Sequence, residues 1–231
     1  MKTGGGSLQS RVELKFMLNI EEYRSLRRQL SLIMDSDKYA TFDKGYYISS
    51  LYFDDMYDSG AYDKADGVEF HKKYRIRTYE NGTKRLEYKV KNGNTTNKEL
   101  LVITDELEMA LKTRDYHILT KNMDEELIKN ITLKMKLNDL KPRLYVDYFR
   151  EAYIFNNGDV RITFDKDIMA YNWYNKNMKY KVLEPRQIIL EVKYRKHLPD
   201  FIRKVVFLKN YQPIPYSKYL MCWLKLNNWG V

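Results

Sequence analysis

Two blocks of strand-like sequence echo one another in the same order, and this duplication constrains the fold more than any single motif. The first block reads SLYFDD (Ser50–Asp55), YRIRTY (Tyr74–Tyr79) and LEYKVK (Leu86–Lys91); the second reads VDYFRE (Val146–Glu151), VRITFD (Val160–Asp165) and LEVKYR (Leu190–Arg195). Three similar segments in one order argue for duplicated halves, and two similar sheets can close face to face into a barrel.

Alternation then assigns the faces, because successive side chains of a strand point to opposite sides. Lys73, Arg75 and Arg77 share one side, while Tyr74, Ile76 and Thr78 share the other. Lys72 adjoins Lys73, and the same alternation selects Lys73 for the charged side. After Asn81-Gly82, a dipeptide suited to a tight hairpin, Arg85, Glu87, Lys89 and Lys91 line up opposite Leu86, Tyr88 and Val90. Pairing these strands gathers up to seven charges on one surface, only one of them acidic, and like charges facing each other are destabilising.

In the second block Arg161, Thr163 and Asp165 share a face, as do Glu191 and Lys193. A half-solvated antiparallel sheet would turn such faces to water. These positions, however, hold mostly Arg, Lys and Glu, and the intervening helices need apolar sheet faces to pack against. With helices outside, the charged faces turn inward. A lumen lined by Arg75, Arg77, Lys89, Lys91, Arg143, Arg161 and Lys193 is underneutralised by protein carboxylates, and enclosed cations are costly unless paired or bound to an anion. Phosphate chains supply that charge, and the planar fork of Arg matches phosphate oxygens. Glu13, Glu87 and Glu191 are out of place beside phosphate unless a divalent cation lies between, which is how Mg²⁺ or Mn²⁺ is usually held.

The remaining chain supplies those helices. Residues 1–10 read as a disordered start or a cloning remnant, and residues 11–231 as one domain. Arg11–Leu18 alternates as a strand, and Asn19 can cap a helix beginning near Glu21. Tyr46–Phe53 and Lys98–Ile103 read as strands, and Tyr57–Lys64 as a short helical turn. Helices are expected after Thr104 and after Asp124, from Pro199, and over Ser217–Leu226. Pro142 precedes the second block, Asn156–Asp159 signals its first turn, and between Asp167 and Pro185 the pattern weakens toward an irregular strand pair or loop.

Composition narrows the partner without naming it. Forty-one Lys plus Arg against 31 Asp plus Glu give a net charge of +10, which suits nucleic acid, anionic lipid or a phosphate-rich small molecule. Nucleic acid needs a convex or grooved basic surface, and the alternation here predicts an enclosed one, so none is expected. The single cysteine, Cys222, excludes a disulfide framework, fits a reducing, cytoplasmic setting, and reads as a packed apolar residue. The three histidines make no zinc-like pair, and no apolar run approaches the roughly 20 residues that span a bilayer, so a soluble protein without a membrane segment is expected. Most of the 21 tyrosines fall on apolar strand faces and read as packing. Arg150 and Arg195 read as surface pairs at strand ends.

LEYKVK and LEVKYR, YRIRTY, PRLYVDYFREAY followed by VRITFD, and the late YSKY together resemble the polyphosphate polymerase domain of the vacuolar transporter chaperone (VTC) family, over about Arg11–Leu224. That family is related to the CYTH proteins among the triphosphate tunnel metalloenzymes. The resemblance implies an α+β fold: an antiparallel β-barrel tunnel of two similar halves with helices packed outside. It also implies ATP and inorganic polyphosphate or triphosphate as ligands and Mn²⁺ or Mg²⁺ as the metal. Carried over by motif, Lys15, Arg75, Arg77, Lys89, Arg143, Arg161, Lys193 and Lys218 would grip phosphates, with Glu191 as principal metal ligand and Glu87 as a second carboxylate. Lys64, Lys98 and Ser217 would be further tunnel contacts, beside Lys73 and Lys91. Two departures stand out: the first strand reads Glu13-Leu14-Lys15 where CYTH relatives alternate two glutamates, and Ile214-Pro215-Tyr216 replaces a stretch that often carries a further lysine. The activity implied is polymerisation from the γ-phosphate of ATP. A tunnel phosphohydrolase acting on triphosphate or nucleoside triphosphates and a non-catalytic polyphosphate-binding module are the alternatives, and the residues do not fix the oligomeric state.

Overall fold

The alternating segments pair into one antiparallel sheet. In the computed structural model, residues 12–40, 45–93, 95–156, 159–195, 197–208 and 211–227 are described. The expected start at residues 1–10 lies outside them, as do residues 157 and 158 of the second-block turn. The first half of the chain runs β1 (Val12–Leu18), α1 (Ile20–Ile33), β2 (Asp35–Ser36), β3 (Gly45–Asp54), α2 (Ser59–Ala65), β4 (Phe70–Tyr79), β5 (Lys84–Asn92), β6 (Thr95–Val102), α3 (Asp105–Thr113), α4 (Tyr116–Lys121) and α5 (Glu126–Asn138). The second runs β7 (Lys141–Phe155), β8 (Val160–Asn172), β9 (Asn175–Lys181), β10 (Ile188–Tyr194), α6 (Asp200–Val206) and α7 (Lys218–Leu226).

The strand order is β1-β10-β8-β7-β3-β4-β5-β6, with β2 added to β7 and β9 to β8. Its centre is the β3–β7 pair, where Ser50 faces Val146, Ile48 faces Tyr148 and Tyr52 faces Leu144. The strand order reads alike outward from this pair in both directions, so β3-β4-β5-β6 corresponds to β7-β8-β10-β1. The echoed segments are thus equivalent strands. The expected barrel is realised as a curled half-barrel whose halves continue into each other through β3 and β7. The curl is tight enough that Lys89 Nζ on β5 lies 3.5 Å from Glu13 Oε2 on β1, at the far end of the strand order.

Burial follows the alternation. On the convex side α3, α4 and α5 pack over β4, β5 and neighbouring strand residues, with Ile76, Leu86, Leu111, Ile128 and Ile131 at the centre. Phe16, Ile162, Phe164, Leu190 and Val192 of the other half pack beneath α1 and α6. The concave side is filled by α7, whose Tyr219, Cys222 and Trp223 bury against Tyr52, Leu144, Val146, Tyr148 and Ile189. Cys222 is packed as expected, and burial pushes its thiol far above the ordinary range.

Several local expectations shift. Asn19 does cap α1, in a reciprocal box with Glu22. Helix α5, in contrast, starts at Glu126 with Glu125 at its N-cap, rather than at a cap on Asp124. Pro199 is the N-cap of α6 and not its first helical residue. Helix α4 was not foreseen. The segment after Asp167 takes the first of its two expected forms, an irregular strand pair: β8 continues to Asn172 and turns into β9, with a register shift between Ala170 and Asn172. Asp167, at φ 51°, sits at the register shift between Asp147 and Phe149, and this bulge displaces the alternation by one residue.

Candidate active site

The inner face of the sheet is charged at its centre. β1 contributes Glu13 and Lys15, β4 contributes Lys73, Arg75 and Arg77, and β5 contributes Glu87 and Lys89. Arg150 comes from β7, Asp165 from β8, Glu191 and Lys193 from β10, and Lys218 from the first turn of α7. Each lies in phase with the inward apolar residues of its strand, such as Val146 on β7 and Ile189 on β10.

Two networks emerge, one per half. In the first, Glu87 is 1% exposed and both its oxygens are engaged: Arg75 Nε donates at 2.7 Å to Oε2 and Lys98 Nζ at 2.8 Å to Oε1, with Arg77 3.6 Å away. Arg75 also donates to the Tyr52 hydroxyl at 2.8 Å, and Arg77 to the Tyr148 hydroxyl at 3.3 Å. In the second, Arg150 forks onto fully buried Asp165 at 2.7 and 2.8 Å, and Lys218 reaches the same carboxylate at 2.5 Å. Glu191 receives Lys193 at 2.5 Å and Arg150 at 3.5 Å, while Glu13 lies 3.0 Å from Lys15 and 3.8 Å from Lys193. Tail and trough meet where Lys73 Nζ donates to Ser217 Oγ at 2.9 Å and Lys15 Nζ to the Tyr216 carbonyl at 2.9 Å.

The electrostatics divide by sign. Burial alone would raise the carboxyls, yet Arg150 and Lys218 bring Asp165 down to about 2, and Lys193, Lys15, Lys218 and Arg150 hold Glu191 well below its ordinary value. Several lysines are pushed the other way. Burial, then Lys15, Lys89 and Lys64, take Lys73 down to about 7; burial takes Lys98 to about 8 despite Glu87; Lys89 and Lys64 are lowered by burial as well. Burial is the first cause in each case, and around Lys73 the neighbouring lysines add to it.

A divalent cation fits part of this arrangement. Among the described residues no three His, Cys, Asp or Glu side chains converge on one point. Mg²⁺ and Mn²⁺ need only one or two carboxylates when phosphate oxygens complete the shell. Glu191 meets that need, with Glu13 nearby, because the Lys193 ammonium between them can move to phosphate. Glu87 does not, since its oxygens are held by Arg75 and Lys98.

Of the residues singled out in the sequence, Lys15, Lys73, Arg75, Arg77, Glu87, Lys89, Lys98, Glu191, Lys193, Ser217 and Lys218 come together. Lys64 and Lys91 lie close enough to add to each other's field near Lys15 and Lys73. Ser217 also caps α7, accepting from Leu220 N. Arg161 stands to one side, donating to buried Asp37 at 2.6 Å and to the Tyr46 hydroxyl at 2.9 Å. Arg143 is not brought in: Asp58, at the start of α2, holds its Nε at 2.6 Å. Arg195 forms the expected surface pair, with Asp159 at 2.8 Å. Arg150 departs from that reading: it is 8% exposed and sits at the heart of the second network. Its phase with Leu144, Val146 and Tyr148 was the available signal.

A family model described as the VTC domain matches residues 10–227. No curated protein matches the chain. Among solved structures, a candidate adenylyl cyclase from Hippeastrum, described as having a dominant triphosphatase activity, superposes with a TM-score of 0.57 at 13% identity, covering 93% of this chain and 96% of that one. A candidate adenylate cyclase from Bacillus halodurans gives 0.51 at 11% identity, covering 90% and 94%. At these identities the likeness is one of fold. No helix among the described residues is long and apolar enough to cross a membrane.

Proposed function

The chain belongs to the VTC domain family, and from that premise we propose that it is a metal-dependent polyphosphate polymerase, moving the γ-phosphate of ATP onto a growing inorganic polyphosphate chain held in the trough. The observation that carries this reading is the cation surplus of the inner face, where Lys15, Lys73, Arg75, Arg77, Lys89, Arg150, Lys193 and Lys218 stand against four carboxylates, Glu13, Glu87, Asp165 and Glu191. A polyanion bound there restores the balance, and the ion pairs of Lys15, Lys89 and Lys193 with Glu13 and Glu191 exchange for phosphate.

Arg75, Arg77, Lys89 and Lys193 grip phosphates from facing walls, with Arg150 as an addition to that set, and Lys15, Lys73 and Lys218 hold the chain beside α7. Arg161 extends the grip on its own side, and Lys64, Lys91 and Lys98 lie at the margins. Mn²⁺ or Mg²⁺, held by Glu191, supplies charge neutralisation on the phosphate oxygens. The protein's part is positioning and electrostatic stabilisation: a terminal oxygen of the acceptor chain bonds to the γ-phosphorus, and ADP leaves. Lys15 on the inner face of β1, two residues after Glu13, supports a polymerase over a hydrolase, because it places a cation where a second carboxylate would recruit metal.

Incubation of the protein with ATP and Mn²⁺, with products resolved on a gel, is expected to give a polyphosphate ladder. Orthophosphate released from tripolyphosphate without chain growth would establish the hydrolase instead. Affinity without any turnover would establish a binding module.

A further inference from the structure

Opposite Arg77 in the β4–β5 register stands Arg85, to which the proposed reaction gives no task. Directly opposed side chains of one face lie close together, and like charges in that relation are destabilising. Both arginines keep a buried Nε without a hydrogen-bond partner, and no ion pair among the described residues includes Arg85. Arg77 itself is 8% exposed, and its other contacts are long, 3.6 Å to Glu87 and 3.3 Å to Tyr148. Both guanidinium carbons lie beside one ring, 6.0 and 5.2 Å from the centroid of Tyr79, which leans on Tyr46 at 6.4 Å. The Tyr79 ring braces two forks, Arg77 with one distant carboxylate and Arg85 with none among the described residues.

We propose that Arg77 and Arg85, braced by Tyr79, form an additional phosphate subsite on the Tyr46 and Arg161 side of the trough, binding one phosphate group of a polyphosphoryl ligand. Two planar forks can present N–H pairs to a single tetrahedral anion, and the anion removes the repulsion that the empty pair imposes. Arg85 is therefore a specificity-determining residue that lengthens the row of phosphates held at once. The inference rests on the phosphate-handling reading above.

The test is calorimetric titration of tripolyphosphate, and separately of ATP, into the wild-type protein and three variants without added metal. Arg85→Ala is expected to weaken tripolyphosphate binding about 10- to 100-fold, the loss of charge-assisted hydrogen bonds. Arg85→Lys, which keeps charge without the fork, should fall between. Arg24→Ala, an equal charge loss on an exposed site of α1, should change affinity less than about twofold. A thermal melt without anion accompanies the titrations: relief of the opposed pair should leave Arg85→Ala melting no lower than wild type. Wild-type protein that binds neither ligand would overturn the phosphate reading and this subsite with it. Wild-type binding with Arg85→Ala matching Arg24→Ala would overturn the subsite alone, as would a lower melting temperature with unchanged affinity, which assigns Arg85 to structure. A penalty confined to ATP places the nucleotide's phosphates between the arginines, and an equal penalty places the inorganic chain there; both uphold the subsite.

Discussion

Glu87 and Glu191 hold the same place in the echoed segments LEYKVK and LEVKYR but have different surroundings. Glu87 is closed off by Arg75 and Lys98, whereas Glu191 shares Lys193 with Glu13 and meets Arg150 only at 3.5 Å. Glu191→Gln should lower turnover by about 100-fold or more while tripolyphosphate affinity holds or rises, since the variant removes a negative charge from a site already short of them. Turnover assays beside calorimetry separate the two effects, and full activity in this variant would remove Glu191 from the metal role. Arg150→Ala leaves Asp165 buried with only Lys218 for company and should cost about 3–5 kcal/mol in denaturant unfolding. Arg143→Ala should leave turnover nearly intact, because Asp58 already occupies that guanidinium. The contrast also shows how far single residues were legible. Alternation placed Lys73, Arg75, Arg77, Lys89 and Lys193 on the inner face correctly, because each sits in a regular strand. It could not say which acid each cation would meet, since the partner lies now on the same strand, as Glu191 does for Lys193, now on a neighbouring one, as Glu87 does for Arg75, and now at the far end of the strand order, as Glu13 does for Lys89.

Among the elements, α7 is tied to the trough by three consecutive residues: Ser217 to Lys73, Lys218 to Asp165 and Tyr219 to Asp54. Ser217→Ala removes an N-cap and should cost about 1 kcal/mol, or roughly 2–4 °C in melting temperature for a chain of this size. A loss confined to activity, with the melt unchanged, would show that the hydroxyl does not hold the helix. The amphipathic spacing of Tyr219, Leu220, Trp223 and Leu226 announced this helix in the sequence, but not that it would pack on the concave side. Periodicity reports that a helix has an apolar face and is silent about which face of a sheet receives it. The pattern after Asp167 weakened for a different reason. The bulge at Asp167 moves the inward set from Arg161, Thr163 and Asp165 to Ile168 and Ala170, so a strict period of two loses a strand that continues unbroken.

At the scale of the whole molecule, the lowered lysines make folding and binding depend on pH. Lys73 in the folded protein loses its proton near 7, well below its ordinary range, so between about pH 7 and 10 the unfolded chain binds more protons than the folded one. Stability of the ligand-free protein should therefore rise with pH across that window, with the penalty fully present below it. A polyanion beside Lys73 restores the proton, so binding near pH 8 should take up protons, measured as a difference in calorimetric enthalpy between Tris and HEPES; equal enthalpies would refute it. At a hundredfold excess over its dissociation constant such a ligand contributes about 2.7 kcal/mol. The correspondence of the two halves about the β3–β7 pair has one more consequence. In one half the fourth strand, β6, follows β5 directly and leads into the helices that cover that half, α3 to α5. In the other half the fourth strand, β1, comes from the opposite end of the chain and leads into its own covering helix, α1. Begun at β3 and continued from α7 into β1, the path would visit two consecutive copies of one four-strand unit, each closed by its helical cover; the natural connectivity is a circular permutation of a tandem repeat.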